Sequence, residues 1–365
     1  MSLKDSWIPV AFSDDVESGR PYAFELFAEP LVMFRERSGA PRCIADYCPH
    51  RGAPLSLGNV DGDNLRCRYD GWHINGGGAC VRLPSIDDPE NPGTRAAVPA
   101  FPTREAGGVV WVWPGDPAKA AGHDIPVPGP PEDRDGPFAE VNASIEIASH
   151  FSQVMANLVD PAHVPFLHVD TLARFARLSQ HKMRFTRIEE CADGRIVSRA
   201  RYEDEPVTEQ TPTYNHTIYS PFVTNDRYRD PAQSMVVDFW YLMVPIAPGR
   251  TRYLFRQYRN FMVHPLLQRL INWRFRQFAM VALEEDRLIL EGQHARLAKG
   301  LSFRQLVATD TLVLRYQRLV NSLDTGTEWF SGYGPGAADE ASVCRTSLGH
   351  YDRAQLTARI GIRAC

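Results

Sequence analysis

The chain has 365 residues, of which 44% are hydrophobic and 23% charged, and its formal net charge is −4. These values are typical of a globular protein with room for two domains, and they argue against a nucleic-acid or membrane-surface partner. No run approaches 18 apolar residues, and the first ten residues lack the apolar core of a signal peptide. Seven cysteines without a dense spacing pattern fit a reducing compartment. We therefore expect a cytoplasmic protein.

The first third of the chain is predicted to be all β. Short apolar runs at 22–27, 31–34 and 42–46 predict strands, and the run 109–113 closes the unit. The triple glycine at 76–78 lacks the G-x-G-x-x-G spacing and no helix signal follows it. It is therefore predicted to be a tight turn and not a phosphate-binding loop.

Two loops in this region carry metal-binding residue types. Cys48 and His50 form a C-x-H pair, and after sixteen residues Cys67 opens a C-x-x-D sequence that ends at Asp70. A C-x-H pair followed at this distance by C-x-x-H is the ligand pattern of a Rieske [2Fe–2S] centre, in which two thiolates hold one iron and two imidazoles the other. Three of the four ligand types are present, and Asp70 stands where the pattern has histidine.

With these loops, the chain resembles the oxygenase component of the Rieske non-haem iron oxygenases. The flanking residues match as well: CPHRGAPLS around the first loop and YxGW around the second. The resemblance implies a Rieske β-sandwich domain, which we assign to residues 1–113. Residues 114–137 are rich in proline, glycine and charge and are predicted to be an extended connector. Residues 138–365 are assigned to a catalytic domain.

Asp70 is the main departure from the family pattern. A carboxylate brings a negative charge where neutral imidazole brings none, which should lower the cluster potential and weaken the site. Three interpretations are open: Asp70 ligates iron itself, His73 replaces it, or the cluster is weak or absent. We expect a cluster position that exists but is compromised.

The catalytic domain opens with a predicted strand at 141–147 and a helix near residue 149. Further strand-like runs predict a large antiparallel sheet at 182–188, 195–202, 214–219, 235–244 and 251–261. Its aromatic residues are expected to line a pocket or fill the core: Phe239, Trp240, Tyr241 and Phe255. Helices are predicted at 265–299 and 302–321, and residues 324–365 match no family motif.

His163 and His168 form the second constellation. Two histidines and a distant carboxylate make the facial triad of non-haem Fe(II) oxygenases, which leaves open positions for O₂. The histidines are five residues apart, so Pro165 is predicted to break the helix and let the rings converge. The D-x-x-H-x-x-x-x-H spacing, preceded by Asn157, resembles the iron-binding segment of the dicamba monooxygenase-like and vanillate demethylase-like branch.

The resemblance also makes Asn157 and Asp160 catalytic candidates. By position, Asp160 is the family's bridging carboxylate, which hydrogen-bonds an iron-ligand histidine on one subunit and a cluster-ligand histidine on the neighbouring subunit. In this chain the Asp160 carboxylate would face Asp70 if Asp70 occupies the interfacial ligand position, and two facing carboxylates repel each other or share a proton.

The third iron ligand is expected within the helix at 265–299. The residues three and four positions from Glu285 and from Asp286 are apolar, so either carboxylate would lie on a buried face where a bound cation offsets the cost. Both are candidates. The family's E-D-x-x-x-x-E pattern, seen here as Glu285-Asp286 to Glu291, favours Asp286.

The resemblance implies an α+β fold: an N-terminal all-β Rieske domain, then a helix-grip (START-like) domain with a large antiparallel sheet. It implies a homotrimer that uses O₂, with electrons from a separate ferredoxin or flavin reductase, to hydroxylate or oxidatively demethylate a small aromatic or natural-product substrate. The alternative is a degenerate member with an impaired cluster that acts as a ligand-binding or non-redox iron protein. The implied cofactors are a [2Fe–2S] cluster on Cys48, His50, Cys67 and Asp70, and Fe(II) on His163, His168 and Asp286.

Overall fold

The protein has the predicted α+β architecture. The computed structural model describes residues 2–93, 95–131, 136–172, 183–202, 213–231, 234–301 and 307–323. The strands are β1 Ile8–Phe12, β2 Tyr22–Leu26, β3 Glu29–Arg35, β4 Pro41–Ala45, β5 Asn59–Asp61, β6 Asn64–Arg66, β7 His73–Asn75, β8 Cys80–Arg82, β9 Ala100–Phe101, β10 Thr103–Ala106, β11 Val109–Val112, β12 Ala139–Ile147, β13 Met183–Glu190, β14 Ile196–Tyr202, β15 Thr213–Ser220, β16 Val223–Asp230, β17 Met235–Ala247 and β18 Arg250–Arg259. The α-helices are α1 Phe151–Leu158, α2 Val164–Leu167, α3 Gln268–Leu297 and α4 Thr311–Leu323.

Three small antiparallel sheets make up the first part of the chain. Their strand orders are β1-β11-β10, β2-β3-β4-β9 and β5-β6-β7-β8. The predicted strands in this region are confirmed, and the triple glycine at 76–78 is the turn between β7 and β8. All residues of β1 and β11 are buried, which explains why both read as nearly continuous apolar runs.

The second part is built on a seven-stranded antiparallel sheet with the order β12-β18-β17-β16-β15-β14-β13. The long helix α3 packs along β12. Ala279, Leu283 and Leu290 recur at helical spacing on its buried face. The space between this helix and the sheet is where a pocket can form.

The β sheets of the first part pack against the opposite face of the seven-stranded sheet. The Arg256 guanidinium, which is buried, donates to the carbonyl oxygens of Gly107 and Gly108. The backbone N–H of Phe27 donates to the carbonyl of Pro245 over 2.8 Å. One continuous hydrophobic cluster runs through both parts. Side chains alternate along a strand, so Arg256 of β18 faces the first part of the chain while its neighbours Phe255 and Gln257 point to the other face of the sheet.

The structure differs from the sequence prediction in three respects. Strands β1, β5 to β10 and β16 were not predicted, the helix expected at 302–321 is observed over Thr311–Leu323 within the described residues, and the connector contains a 3₁₀ helix at Pro117–Gly122. Residues 302–306 and the tail from 324 onward lie outside the described residues. None of the helices within the described ranges has the length and apolar character needed to cross a bilayer.

Candidate metal centres and active-site pocket

Three side chains from two helical segments meet at one point. Nε2 of His168 lies 3.3 Å from Oδ1 of Asp286, and Nε2 of His163 lies 3.7 Å from the same oxygen. Candidate ligand atoms of all three residues lie within 4.8 Å of one another. His168 and Asp286 are buried, so the carboxylate charge needs a compensating cation. Two imidazoles and one carboxylate are the donor set of non-haem Fe(II), and these residues fit that ion.

The segment that carries the histidines folds differently from its prediction. Pro165 does not break a helix between them, because α1 already ends at Leu158 and Pro165 lies in the first turn of α2. Proline is tolerated there since its missing N–H would have no intrahelical partner. His163 and His168 flank this one-turn helix with ring centroids 5.3 Å apart. The predicted convergence is observed, but its predicted cause was wrong.

Each of the three side chains is oriented by a further contact. Nδ1 of His168 donates to Oε2 of Glu285 over 2.8 Å, and Nδ1 of His163 donates to the backbone oxygen of Asp160 over 2.5 Å. Both rings therefore turn their Nε2 atoms toward Asp286. Asn157 donates from Nδ2 to Oδ1 of Asp286 over 2.9 Å. Contacts of this kind fix the tautomer and direction of metal ligands.

The two adjacent carboxylates of α3 thus have different surroundings. Asp286 faces both imidazoles, whereas Glu285 accepts from His168 and from the Thr171 hydroxyl, which lies 3.0 Å away. Glu284 pairs instead with Arg287 on the partly exposed side. The structure therefore groups Asp286 with the two imidazoles as candidate metal ligands, whereas Glu285 contacts the other ring nitrogen of His168.

The electrostatics of the site reflect this arrangement. Burial disfavours charge on His168, but hydrogen bonds to Asp286 and Glu285 outweigh it and raise the pKa of His168 to about 9. Burial lowers the pKa of His163. For Asp286 burial favours the neutral carboxyl, but the hydrogen bonds from His168 and Asn157 and the charges of the two imidazoles together outweigh burial and lower the pKa of the carboxyl. The site is negative enough to hold a cation in otherwise apolar surroundings.

Asp160 lies at the end of the same segment. Its Oδ1 accepts from the backbone N–H of Ala162 over 2.9 Å and caps the 3₁₀ helix Pro161–His163. Burial raises the pKa of its carboxyl. In this chain its carboxylate therefore has a capping contact, and its backbone oxygen orients His163.

The two cysteine loops have matching backbone geometry. The N–H of Cys48 donates to the carbonyl of Ala53 and the N–H of Cys67 to that of Trp72, each over 2.8 Å. The fourth residue after each cysteine is a glycine at positive φ, 73° at Gly52 and 72° at Gly71, a conformation that glycine adopts without strain. Both cysteines are buried, and burial raises the pKa of Cys48 to about 11. Two such thiols side by side suit a metal cluster, which would bind them as thiolates.

The other two cluster-ligand candidates meet at the same place. Nδ1 of His50 lies 3.0 Å from Oδ2 of Asp70, and the imidazole stacks on Trp72 with ring centroids 4.5 Å apart. Two ligand atoms bound to one metal at about 2 Å lie roughly 3 Å from each other, so this pair fits one iron. His73 is buried in β7, and its ring nitrogens face Asp61 and Arg82. The structure thus brings Asp70, and not His73, into contact with His50.

A pocket opens beside the His163, His168 and Asp286 group. It lies between α3 and the seven-stranded sheet. Three of the four aromatic residues named from the sequence line it, namely Phe239, Tyr241 and Phe255. Trp240 points to the other face of the sheet, where its Nε1 donates to the carbonyl of Gly129. The walls are mainly aromatic and aliphatic, as in pockets that hold small organic molecules.

Sequence reasoning missed two polar residues of this region. Asp226 lines the pocket and pairs with His216 on the adjacent strand, and both are buried. The pairing depends on the register of β15 with β16, and β16 itself was not predicted. The sequence VTNDRYRD offered little signal, because most of this strand is buried although its residues are mainly polar.

The fold and the two groups of side chains define a non-haem iron protein with a facial-triad site and a pair of Rieske-type loops. Residues 6–102 match the Rieske [2Fe-2S] domain family, and residues 147–325 match the vanillate O-demethylase oxygenase C-terminal domain family. The chain belongs to the Rieske non-haem iron oxygenase family, as the sequence resemblance predicted.

Individual relatives agree with this family. Chlorophyllide a oxygenase, chloroplastic, of Chlamydomonas reinhardtii is 30% identical over 335 residues, which cover 88% of this chain and 48% of the relative. The oxygenase component of chloroacetanilide N-alkylformylase of Rhizorhabdus wittichii is 37% identical over 185 residues, 47% of this chain and 49% of the relative. The crystal structure of dicamba monooxygenase bound to dicamba has the same fold, with a TM-score of 0.73 at 22% identity over 88% of this chain and 97% of that one. The chain spans about half the length of the curated relative from Chlamydomonas.

Proposed function

We propose that this chain is the oxygenase component of a Rieske system that hydroxylates or oxidatively demethylates a small organic substrate. The observation that carries the proposal is the buried group of His163, His168 and Asp286 at the wall of an aromatic pocket. When bound, Fe(II) supplies O₂ activation and the cluster supplies single electrons. No flavin or nicotinamide motif was found in the sequence, so a separate ferredoxin or flavin reductase is the proposed electron donor.

The protein's own residues have defined roles in this proposal. His163, His168 and Asp286 would hold the iron, and Cys48, Cys67, His50 and Asp70 would hold the cluster. Glu285 and the Asp160 backbone keep the imidazoles in the correct tautomer. The aromatic walls position the substrate and exclude water from the reacting atoms.

We also propose the family's quaternary arrangement, a homotrimer in which each cluster faces the iron of the next subunit. The domain limits 1–113, 114–137 and 138–365, and Asp160 as the carboxylate between the two centres, belong to this proposal. The Asp160 carboxyl stays half-buried in the chain, which suits a group that a neighbouring subunit covers. A cytoplasmic location remains a prediction, because two of the relatives are named as chloroplastic proteins.

The proposal is tested by oxygen uptake with the purified protein, a surrogate ferredoxin and reductase, and a panel of aromatic and methoxylated compounds. Uptake that depends on one of these compounds, together with formation of a hydroxylated or demethylated product, supports it. Uptake that no compound stimulates, with hydrogen peroxide as the only product, contradicts it.

A second candidate function is favoured by Asp70. With a carboxylate hydrogen-bonded to His50 in the second loop, a degenerate protein that binds a ligand without electron transfer is the alternative. In that case the protein would bind pocket ligands, but chemical reduction of the cluster position would never be followed by product formation.

A further inference from the structure

A row of pocket residues runs across four neighbouring strands of the large sheet. His216 on β15 pairs in register with Asp226 on β16, then Phe239 on β17 and Gln257 on β18. Residues in register on neighbouring strands point to the same face of a sheet. Asp226, Phe239 and Gln257 all line the pocket. The floor of the pocket therefore carries two polar side chains, roughly 10 Å apart across two strand spacings, with one phenyl ring between them.

The protons of this row can be assigned by counting donors. The Thr224 hydroxyl donates to the carbonyl of Thr217 over 2.9 Å, so it accepts from Nε2 of His216, which lies 2.6 Å away. Nδ1 of His216 faces Oδ1 of Asp226, and one proton must lie between these two atoms. The hydroxyls of Tyr214 and Tyr241 are also hydrogen-bonded to Asp226. Both tyrosine hydroxyls and Nδ1 of His216 are thus directed at the Asp226 carboxylate.

This direction leaves acceptors facing the pocket. Tyr241 lines the pocket, and when it donates its proton to Asp226 its oxygen still has lone pairs that can accept from a ligand. The Oε1 atom of Gln257 is buried and has no hydrogen-bond partner among the described residues, although Gln257 lines the pocket. A buried acceptor left unpaired is costly, so a ligand that supplies a donor is favoured there.

The charge of the pocket disfavours an anionic ligand. The described lining residues include Asp226 and Asp286 but neither lysine nor arginine. Asp286 is balanced by the proposed iron, and Asp226 by the proton it shares with His216. A ligand carboxylate would add a negative charge next to Asp226 in a space of low polarity, which is unfavourable.

We propose that the substrate of this site is a neutral aromatic molecule with a hydroxyl or N–H donor that faces Gln257, and not an aromatic carboxylate. Phe239 supplies the surface on which the ring lies between the two polar groups. The inference rests on the proposed function, whose substrate class it names, but it concerns binding alone.

Binding of three matched probes to the full-length, iron-loaded protein under nitrogen tests this inference: 2-naphthol, 2-methoxynaphthalene and 2-naphthoate, measured by calorimetry at pH 7. We expect 2-naphthol to bind about tenfold more tightly than its methyl ether, since the ether leaves the acceptors unpaired, and 2-naphthoate to bind most weakly. Equal binding of naphthol and its ether, tighter binding of naphthoate, or no binding of naphthol overturns the inference.

Two variants assign the preference to the named residues. Gln257→Leu should reduce the preference for naphthol over its ether to about threefold or less without improving naphthoate binding, because it removes an acceptor but no charge. Asp226→Asn should improve naphthoate binding relative to naphthol. Asp193→Asn, in an exposed turn of the same sheet, is the matched control and should behave as the wild type. If Asp226→Asn does not fold, Gln257→Leu alone tests the inference. An unchanged preference of Gln257→Leu for naphthol over its ether contradicts the inference.

Because these measurements involve no turnover, they separate the inference from the proposed function. A donor preference in a protein that shows no substrate-dependent oxygen uptake would leave the inference standing and remove the oxygenase proposal. Oxygen uptake stimulated by an aromatic carboxylate that binds in this pocket would support the oxygenase and remove the inference.

Discussion

Oε2 of Glu285 lies 2.8 Å from Nδ1 of His168, and both side chains are buried. The contact makes Glu285 a positioning residue for the imidazole, which presents its other nitrogen to Asp286. The adjacent carboxylates of α3 thus have different roles. Asp286 is a candidate metal ligand, and Glu285 orients the imidazole of His168.

Replacing Glu285 should therefore weaken iron binding without removing a ligand. We expect Glu285→Gln to lower Fe(II) affinity about tenfold and Glu285→Ala about a hundredfold, because the orienting partner becomes neutral or is lost. Chelator competition measures both values. Glu284→Gln is the matched control, since Glu284 binds Arg287 outside the site. An affinity in Glu285→Ala equal to that of Glu284→Gln would show that the contact has no role at the metal.

Restoring a histidine at position 70 should strengthen the cluster. In Asp70→His, imidazole replaces a charged carboxylate, so we expect higher sulfide content per chain, a stronger Rieske EPR signal and a higher midpoint potential. Asp88→His in an exposed loop is the control for an added histidine. An Asp70→His protein with the same potential, sulfide content and turnover as the wild type would refute the idea that the natural cluster position is compromised.

The proposed role of Asp160 in electron transfer can be tested with a substitution that preserves its capping contact. Asparagine also caps helix N-termini, so Asp160→Asn should keep the contact with Ala162 and the thermal stability. We expect both metals to remain bound while electron transfer from the reduced cluster to the substrate site slows markedly, because a charged acceptor between the centres is lost. Rapid-mixing single-turnover experiments measure this step. An unchanged rate would assign Asp160 to capping alone.

Arg256 connects the two parts of the chain and should contribute to stability. In Arg256→Met the hydrogen bonds to Gly107, Gly108 and Asn142 are lost, and we expect a loss of about 1–3 kcal/mol in the free energy of unfolding. Arg250→Met removes an exposed pair with Glu25 and should cost less than about 1 kcal/mol. Urea denaturation of both variants checks the difference. Equal stabilities would mean that the packed apolar surfaces alone join the two parts.

Sequence patterns predicted the apolar strands and the long helix well because burial imposes a period on them. They failed at β16, whose Asn225, Asp226 and Arg227 are polar groups satisfied by partners on neighbouring strands. Such partners depend on strand register, which a single sequence does not specify.

The candidate iron site was predictable as a motif but only partly as geometry. Helical phasing placed Glu285 and Asp286 equally well on an apolar face. The contacts in the structure distinguish them, because Asp286 faces both imidazoles and Glu285 contacts one of them, that of His168. The effect of Pro165 was misjudged because a proline in the first turn of a helix begins it as readily as a proline in the middle breaks it.

The most direct test of the account counts iron and acid-labile sulfide in the wild type and in Asp286→Asn. We expect Asp286→Asn to lose one iron per chain, to keep its sulfide and its cluster EPR signal, and no longer to consume oxygen in response to substrate. Equal iron content in the two proteins, with Fe(II) binding of unchanged affinity, would contradict the claim that His163, His168 and Asp286 form a metal site.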